Sequence, residues 1–200
     1  MNRISVIATV LLTVLLAVSG VKSAFAQSAA KWVADCAEAV PPKSPVAGML
    51  NGKPFKPEKV YTFTFHGYAG TKGHRAAYNL IRFSMYNGDK QHPDREIVIW
   101  LTAHDGELMD HLVFKAHSGK LAVQNETVGF KNGINVPRVQ YIDVTDKVAG
   151  KPATQRIASG FSAIIRFGTQ DKQGLDGSVY VALPDAAHSF AAGSFKFRIK

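Results

Sequence analysis

Glu96-Ile-Val-Ile-Trp-Leu-Thr-Ala-His-Asp-Gly-Glu-Leu-Met-Asp-His-Leu-Val-Phe-Lys115 sets two apolar runs on either side of an Asp-Gly pair. Asp105-Gly106 readily takes the positive φ angles that a two-residue hairpin turn requires, so the stretch reads as two antiparallel strands. Side chains alternate with a period of two. The register that follows puts Ala103 opposite Leu108, Leu101 opposite Asp110, Ile99 opposite Leu112 and Ile97 opposite Phe114 on one face. Trp100 then faces His111, and His104 faces Glu107, on the other.

The same punctuation extends outward from this segment. After Val46, Gly, Pro, Asn and Asp recur at short intervals between apolar runs of period two. Strands are expected near Val60 to His66, Ala77 to Tyr86, Glu96 to Ala103, Leu108 to Lys115, Leu121 to Gln124, Arg138 to Val144, Ile157 to Phe167, Ser178 to Leu183 and Ser194 to Ile199. About nine strands without a long helical pattern predict an all-β fold, an antiparallel β-sandwich with a jelly-roll or a barrel as variants. In the last strand Phe195, Phe197 and Ile199 share one face and Lys196, Arg198 and Lys200 the other. That pattern predicts a terminal edge strand protected by its charge.

Upstream, the chain opens with Arg3, an apolar run from Ile4 to Val18 and small residues at Ala24 and Ala26. This is the order of a secretory signal peptide cut before Gln27. The run is shorter than the ~20 residues of a membrane-spanning helix, so no transmembrane anchor is expected after cleavage. Residues 27–45 read as a short helix or a linker: Trp32, Cys36 and Val40 recur at helical spacing behind Ser28 until Pro41 and Pro42 stop the pattern. Residues 46–200 are expected as a single β domain, periplasmic or secreted. Cys36 is the only cysteine, which leaves packing rather than an intramolecular disulfide to hold the fold.

The formal net charge is +9, from 24 Lys and Arg against 15 Asp and Glu, and loss of Arg3 and Lys22 with the leader would lower it by two. A basic surface draws an anionic envelope component or a protein partner. Nucleic acid is not expected, because the cations scatter through strands and turns without a binding motif.

Two stretches carry candidate chemistry. His104 to His111, with His117 beyond, offers metal-ligating side chains, but the hairpin register sets His104 and His111 roughly 13 Å apart, too far to share one ion. The loop His66-Gly-Tyr-Ala-Gly-Thr-Lys-Gly-His-Arg75 has glycines and cations suited to holding an anion. It lacks the Gly-Lys-Ser/Thr ending of a P-loop. The candidate binding residues are Tyr68, Lys72, His74, Arg75, Trp100, His104, Glu107 and His111. Ser162, within Gly160-Phe-Ser-Ala-Ile, lacks the closing glycine of a nucleophile elbow. No catalytic set and no cofactor are predicted, and the metal question stays open. The chain therefore reads as a binding or interaction module. Its rivals are a periplasmic hydrolase, whose histidines and carboxylates would converge from separate strands, and a structural envelope protein.

Ser44-Pro-Val-Ala-Gly-Met-Leu-Asn-Gly-Lys-Pro-Phe-Lys-Pro-Glu-Lys-Val60 and Gly177-Ser-Val-Tyr-Val-Ala-Leu-Pro-Asp-Ala-Ala-His-Ser-Phe-Ala-Ala-Gly-Ser-Phe195 resemble segments of a group of small exported bacterial proteins of unassigned function. The resemblance implies an exported β domain and supplies no activity, ligand or catalytic residue.

Overall fold

The computed structural model describes residues 30–70, 75–119, 122–130, 133–148 and 150–198. A genuine hairpin opens the sheet structure at Asn51-Gly52, where both residues take positive φ, 50° and 72°. A turn of that kind matches the twist of two paired strands. It joins β1 (Ala47–Leu50) to β2 (Lys53–Phe55), with Leu50 paired to Lys53. These strands form one edge of a seven-stranded sheet. Next to β1 come β14 (Phe190–Phe197), β13 (Gly174–Ala182) and β12 (Ser162–Asp171), then β6 (Val113–Gly119) and, at the far edge, β7 (Ala122–Asn125). A five-stranded sheet runs in the order β11 (Lys151–Ile157), β10 (Val139–Val148), β5 (Pro93–His104), β4 (Ala76–Gly88), β3 (Lys59–Ala69). A two-stranded ribbon of β8 (Thr127–Gly129) and β9 (Asn135–Pro137) stands apart from both.

All strand pairings are antiparallel, and each large sheet keeps two edge strands. The architecture is a sandwich rather than a closed barrel. Period-two alternation supplies its core. Ile81, Phe83 and Met85 on β4 and Ile97, Ile99, Leu101 and Ala103 on β5 turn inward to meet Phe114, Ile165, Phe167, Val179 and Phe195 of the facing sheet. Phe83, Phe114, Phe167 and Phe195 interlock at centroid separations of 4.9 to 6.0 Å. Burial of such a side chain contributes about 1.5–3 kcal/mol.

Part of the seven-stranded sheet is buried on its outer side as well. Residues 30–46 cross it as an extended strap that holds only a three-residue 3₁₀ turn, Cys36–Glu38, so neither a helix nor a loose linker describes this part of the chain. Beneath the strap Cys36, Ile164, Tyr180, Ala182 and Ala192 form a second buried cluster, with Trp32 and Val33 packed against it. The extended path lets the strap exchange hydrogen bonds with the strands. Trp32 Nε1 donates to the Leu183 carbonyl (3.2 Å), Val33 N–H to the Tyr180 hydroxyl (2.6 Å) and Cys36 N–H to Ser162 Oγ (2.6 Å). Gly193, at φ 150°, admits the end of the strap, since a Cβ there would lie 2.6 Å from the Val46 Cα.

Four expectations are corrected. The Asp105-Gly106 turn forms, with Glu107 N–H donating to the His104 carbonyl at 3.1 Å, but no hairpin follows it. Only Gly106, the second central residue, takes positive φ (76°), whereas the turns that close two-residue hairpins require positive φ at the first. The chain crosses to the other sheet, where Val113 to Ala116 pair with β12. Trp100 consequently faces Arg82 and Tyr141 rather than His111. The run Ile157 to Phe167 is likewise a change of sheet, bent at Gly160 (φ 76°) between β11 and β12. The terminal strand is interior, between β1 and β13, although its alternation holds: Phe195 and Phe197 are buried while Lys196 and Arg198 are exposed. Ile199 and Lys200 lie outside the described residues. Among the described residues fourteen strands replace about nine, mainly because three-to-seven-residue strands such as β1, β2, β8, β9 and β11 carry too few alternations to stand out in sequence.

Candidate functional site

The inward set on β5 fixes the outward set as Glu96, Val98, Trp100, Thr102 and His104. Register then decides their neighbours. Trp100 lies opposite Arg82 on β4 and Tyr141 on β10. Arg82 lies opposite Phe63 on β3, and Leu80 opposite Phe65. A row of rings results: Phe63 to Phe65 at 4.6 Å, Phe65 to Trp100 at 6.0 Å and Trp100 to Tyr141 at 5.7 Å between centroids. The Arg156 guanidinium closes the row 3.9 Å above the Tyr141 ring. Phe63 and Phe65 are 51% and 42% exposed, and Trp100 and Tyr141 are partly exposed.

The charges on this face are sorted by depth. Asp143 accepts from Trp100 Nε1 and from Arg156 Nε, both at 2.9 Å; its side chain is 13% exposed, that of Arg156 58%. Glu96 is bound by Arg82 (2.9 Å) and Ser84, with 5% exposure against 24% for Arg82. In both pairs the acid is the more buried partner. Lys90 and Arg82 sit over the Tyr61 ring at 4.5 and 5.4 Å, and Lys59 over Tyr86 at 5.8 Å. Burial pushes the Tyr141 hydroxyl above its ordinary value, and the bond to Asp143 does the same for the Arg156 guanidinium. Tyr141 therefore stays neutral and Arg156 charged at neutral pH.

Of the residues singled out in sequence, Trp100 stands in the middle of this face. His104 lies at its end, edge-on to Phe130 at 5.5 Å. Glu107 clamps the turn: it accepts from the His104 N–H (2.8 Å) and from Arg138 (3.0 and 3.3 Å). Burial works against its ionised form, but the Arg138 guanidinium and the His104 amide hold its carboxyl below the ordinary range. His111 is elsewhere. Its backbone, at φ 59°, donates to the Gly168 carbonyl of β12 (3.1 Å), and its ring is exposed beside Asp110. Tyr68 and Arg75 are exposed at the far ends of β3 and β4; Lys72 and His74 lie outside the described residues. The two candidate loops do approach each other, with His66 Nδ1 3.8 Å from Asp105 Oδ1, but both side chains are open to solvent.

Among the described residues the histidines stand apart from the main recesses. Open recesses of about 750, 280 and 600 Å³ are lined by no histidine, and His188 is stacked on Trp32 of the strap at 4.3 Å. Among the described residues no group of three or more His, Cys, Asp and Glu is placed to hold a metal ion. Ser162 is buried beneath Cys36. The sequence reading missed Phe63, Phe65, Tyr141, Arg82 and Arg156. A signal existed in Tyr61-Thr-Phe-Thr-Phe65, where threonines rather than aliphatic residues alternate with the rings, so that neither face reads as an ordinary core face. Comparison of the chain with protein-family models, with curated proteins and with solved structures finds no match to any of them.

Proposed function

We propose that the protein is an exported binding module that takes an anionic envelope polymer, an acidic glycan, across the outer face of its five-stranded sheet. The observation that carries this is the partly exposed row Phe63, Phe65, Trp100 and Tyr141, beside ion pairs in which the acid is the more buried partner. Ring faces offer broad apolar contact to the C–H faces of sugar rings at small entropic cost. Guanidinium and ammonium groups meet carboxylate or phosphate substituents. The basic net charge assists encounter, and the leader-like N-terminal residues supply the route out of the cell.

The test is titration with an acidic and a neutral polysaccharide, followed by tryptophan fluorescence at low and high salt. Binding of the acidic polymer, weakened by salt, is the expected result. Equal binding of the neutral polymer, or indifference to salt, would reject the anionic ligand. Single-stranded nucleic acid also stacks on aromatic rows and belongs in the same titration; preference for it would replace the glycan.

A further inference from the structure

Four strands form the edges of the two large sheets, and three of them carry features that discourage further pairing. β2 has three residues including Pro54, β7 has four, and β11 carries Lys151, Pro152 and Arg156. Short length, proline and charge are the usual means by which an edge avoids adding another strand. The fourth edge, β3, has none of them. It is eleven residues long and pairs with β4 from Lys59 to Ala69 without a register shift. Its one charged residue apart from histidine, Lys59, sits at the very end, drawn over the Tyr86 ring. From Phe63 to His66 the strand is exposed on both faces, so the seven-stranded sheet does not overhang it there.

We infer that β3 pairs antiparallel with β3 of a second copy of this chain, about a two-fold axis at Thr64. An axis at that residue pairs all eleven positions, from Lys59 with Ala69 of the partner subunit through to the reverse. It sets Phe63 opposite Phe65 of the partner subunit on the outer face, an aromatic cross-strand pair of the kind that stabilises sheets. It brings no like charges together, since Lys59 meets an alanine and Thr62 meets His66 of the partner subunit. The two five-stranded sheets become one continuous sheet, and because the axis runs through it the two rows of rings lie on the same side. Eleven residues a side is below the roughly 20–30 of a standard interface, so the dimer is weak and concentration-dependent. Twofold presentation of the rings to a repeating polymer would then raise avidity, which rests on the proposed function; the pairing itself does not.

Sedimentation velocity over a wide concentration range tests the pairing without any ligand. The sedimenting mass should rise from monomer toward dimer. Thr64→Lys, an exposed change that leaves the ring row intact, should weaken the association by about tenfold or more, because the two lysines would meet on the axis. Under copper-catalysed air oxidation, Thr64→Cys should yield a disulfide-linked dimer, while Thr62→Cys, which faces His66 of the partner subunit, should not. A chain that stays monomeric throughout, association unchanged by Thr64→Lys, or equal cross-linking of the two cysteine variants would each overturn the assignment. A monomer that instead captures an extended segment of another protein at β3 would also overturn it.

Discussion

On the outer side of the seven-stranded sheet, Ile164, Tyr180 and Ala192 disappear beneath Trp32, Val33 and Cys36; on the outer side of the five-stranded sheet, Trp100 and Tyr141 stay partly open and Phe63 and Phe65 stand in water. Both faces are apolar in part, yet residues 30–46 cover part of one, and among the described residues Phe63 and Phe65 of the other stay exposed. The covered face is fastened by hydrogen bonds between strap and strands, the mark of a structural contact. On the other face Glu96 and Asp143 are bound beneath Arg82 and Arg156, and the rings of Phe63 and Phe65 stand toward solvent. A contiguous exposed apolar patch rimmed by polar groups marks an interaction site.

The largest effect should separate the two faces by stability. Ile164→Ala, beneath the strap, is expected to cost about 2–4 kcal/mol in urea denaturation, whereas Phe63→Ala should cost less than about 1 kcal/mol, because half of its ring is already in water. Similar losses at both positions would erase the distinction.

The next effect should separate them by binding. Trp100→Ala is expected to weaken acidic-glycan binding by about tenfold, the equivalent of ~1.4 kcal/mol. Trp32→Ala, on the covered face, should lower stability and leave affinity where it was. Affinity lost at Trp32 and kept at Trp100 would move the ligand to the strap.

A smaller change is expected from Arg156→Gln: affinity reduced a few-fold and a flatter salt dependence, with the melting temperature nearly unmoved, because an ion pair whose cation is exposed to solvent contributes little to stability. An unaltered salt slope would mean that Arg156 does not meet the ligand's charge.

The smallest effect is alkaline. Burial pushes the Cys36 thiol above its ordinary 9.0 and the Tyr180 hydroxyl above its ordinary 10.0. The unfolded chain releases these protons first as pH rises, so their contribution is complete below about pH 9 and is lost progressively above it. Hydrogen exchange of the strap amides should quicken in that range, and Tyr180→Phe should reduce the part of the stability loss that begins near pH 10. An unchanged profile in Tyr180→Phe would take the phenol out of the account.

How much of this was legible is shown by the two turns. Asn51-Gly52 and Asp105-Gly106 present nearly the same chemistry, and each does form a turn. The first closes a hairpin because both of its residues take positive φ; at the second, Asp105 does not, and β6 is drawn to β12 instead. β5 already has β4 and β10 beside it, so no edge remains for β6 to join. The same competition made an interior strand of β14. Trp100 was singled out in sequence with the wrong partner, and its true neighbours Phe65 and Tyr141 come from strands more than thirty residues away in either direction.

By itself the sequence determined that the chain past Val46 is extended and antiparallel, and which side chains within a strand share a face, because alternation with period two is a property of neighbouring residues. Only the tertiary structure decided which strands lie side by side and which of two faces is sealed. Tyr61-Thr-Phe-Thr-Phe65 has the same local pattern whether its rings meet a core or water. The position of the second sheet settles that, and it depends on contacts among residues far apart in the chain.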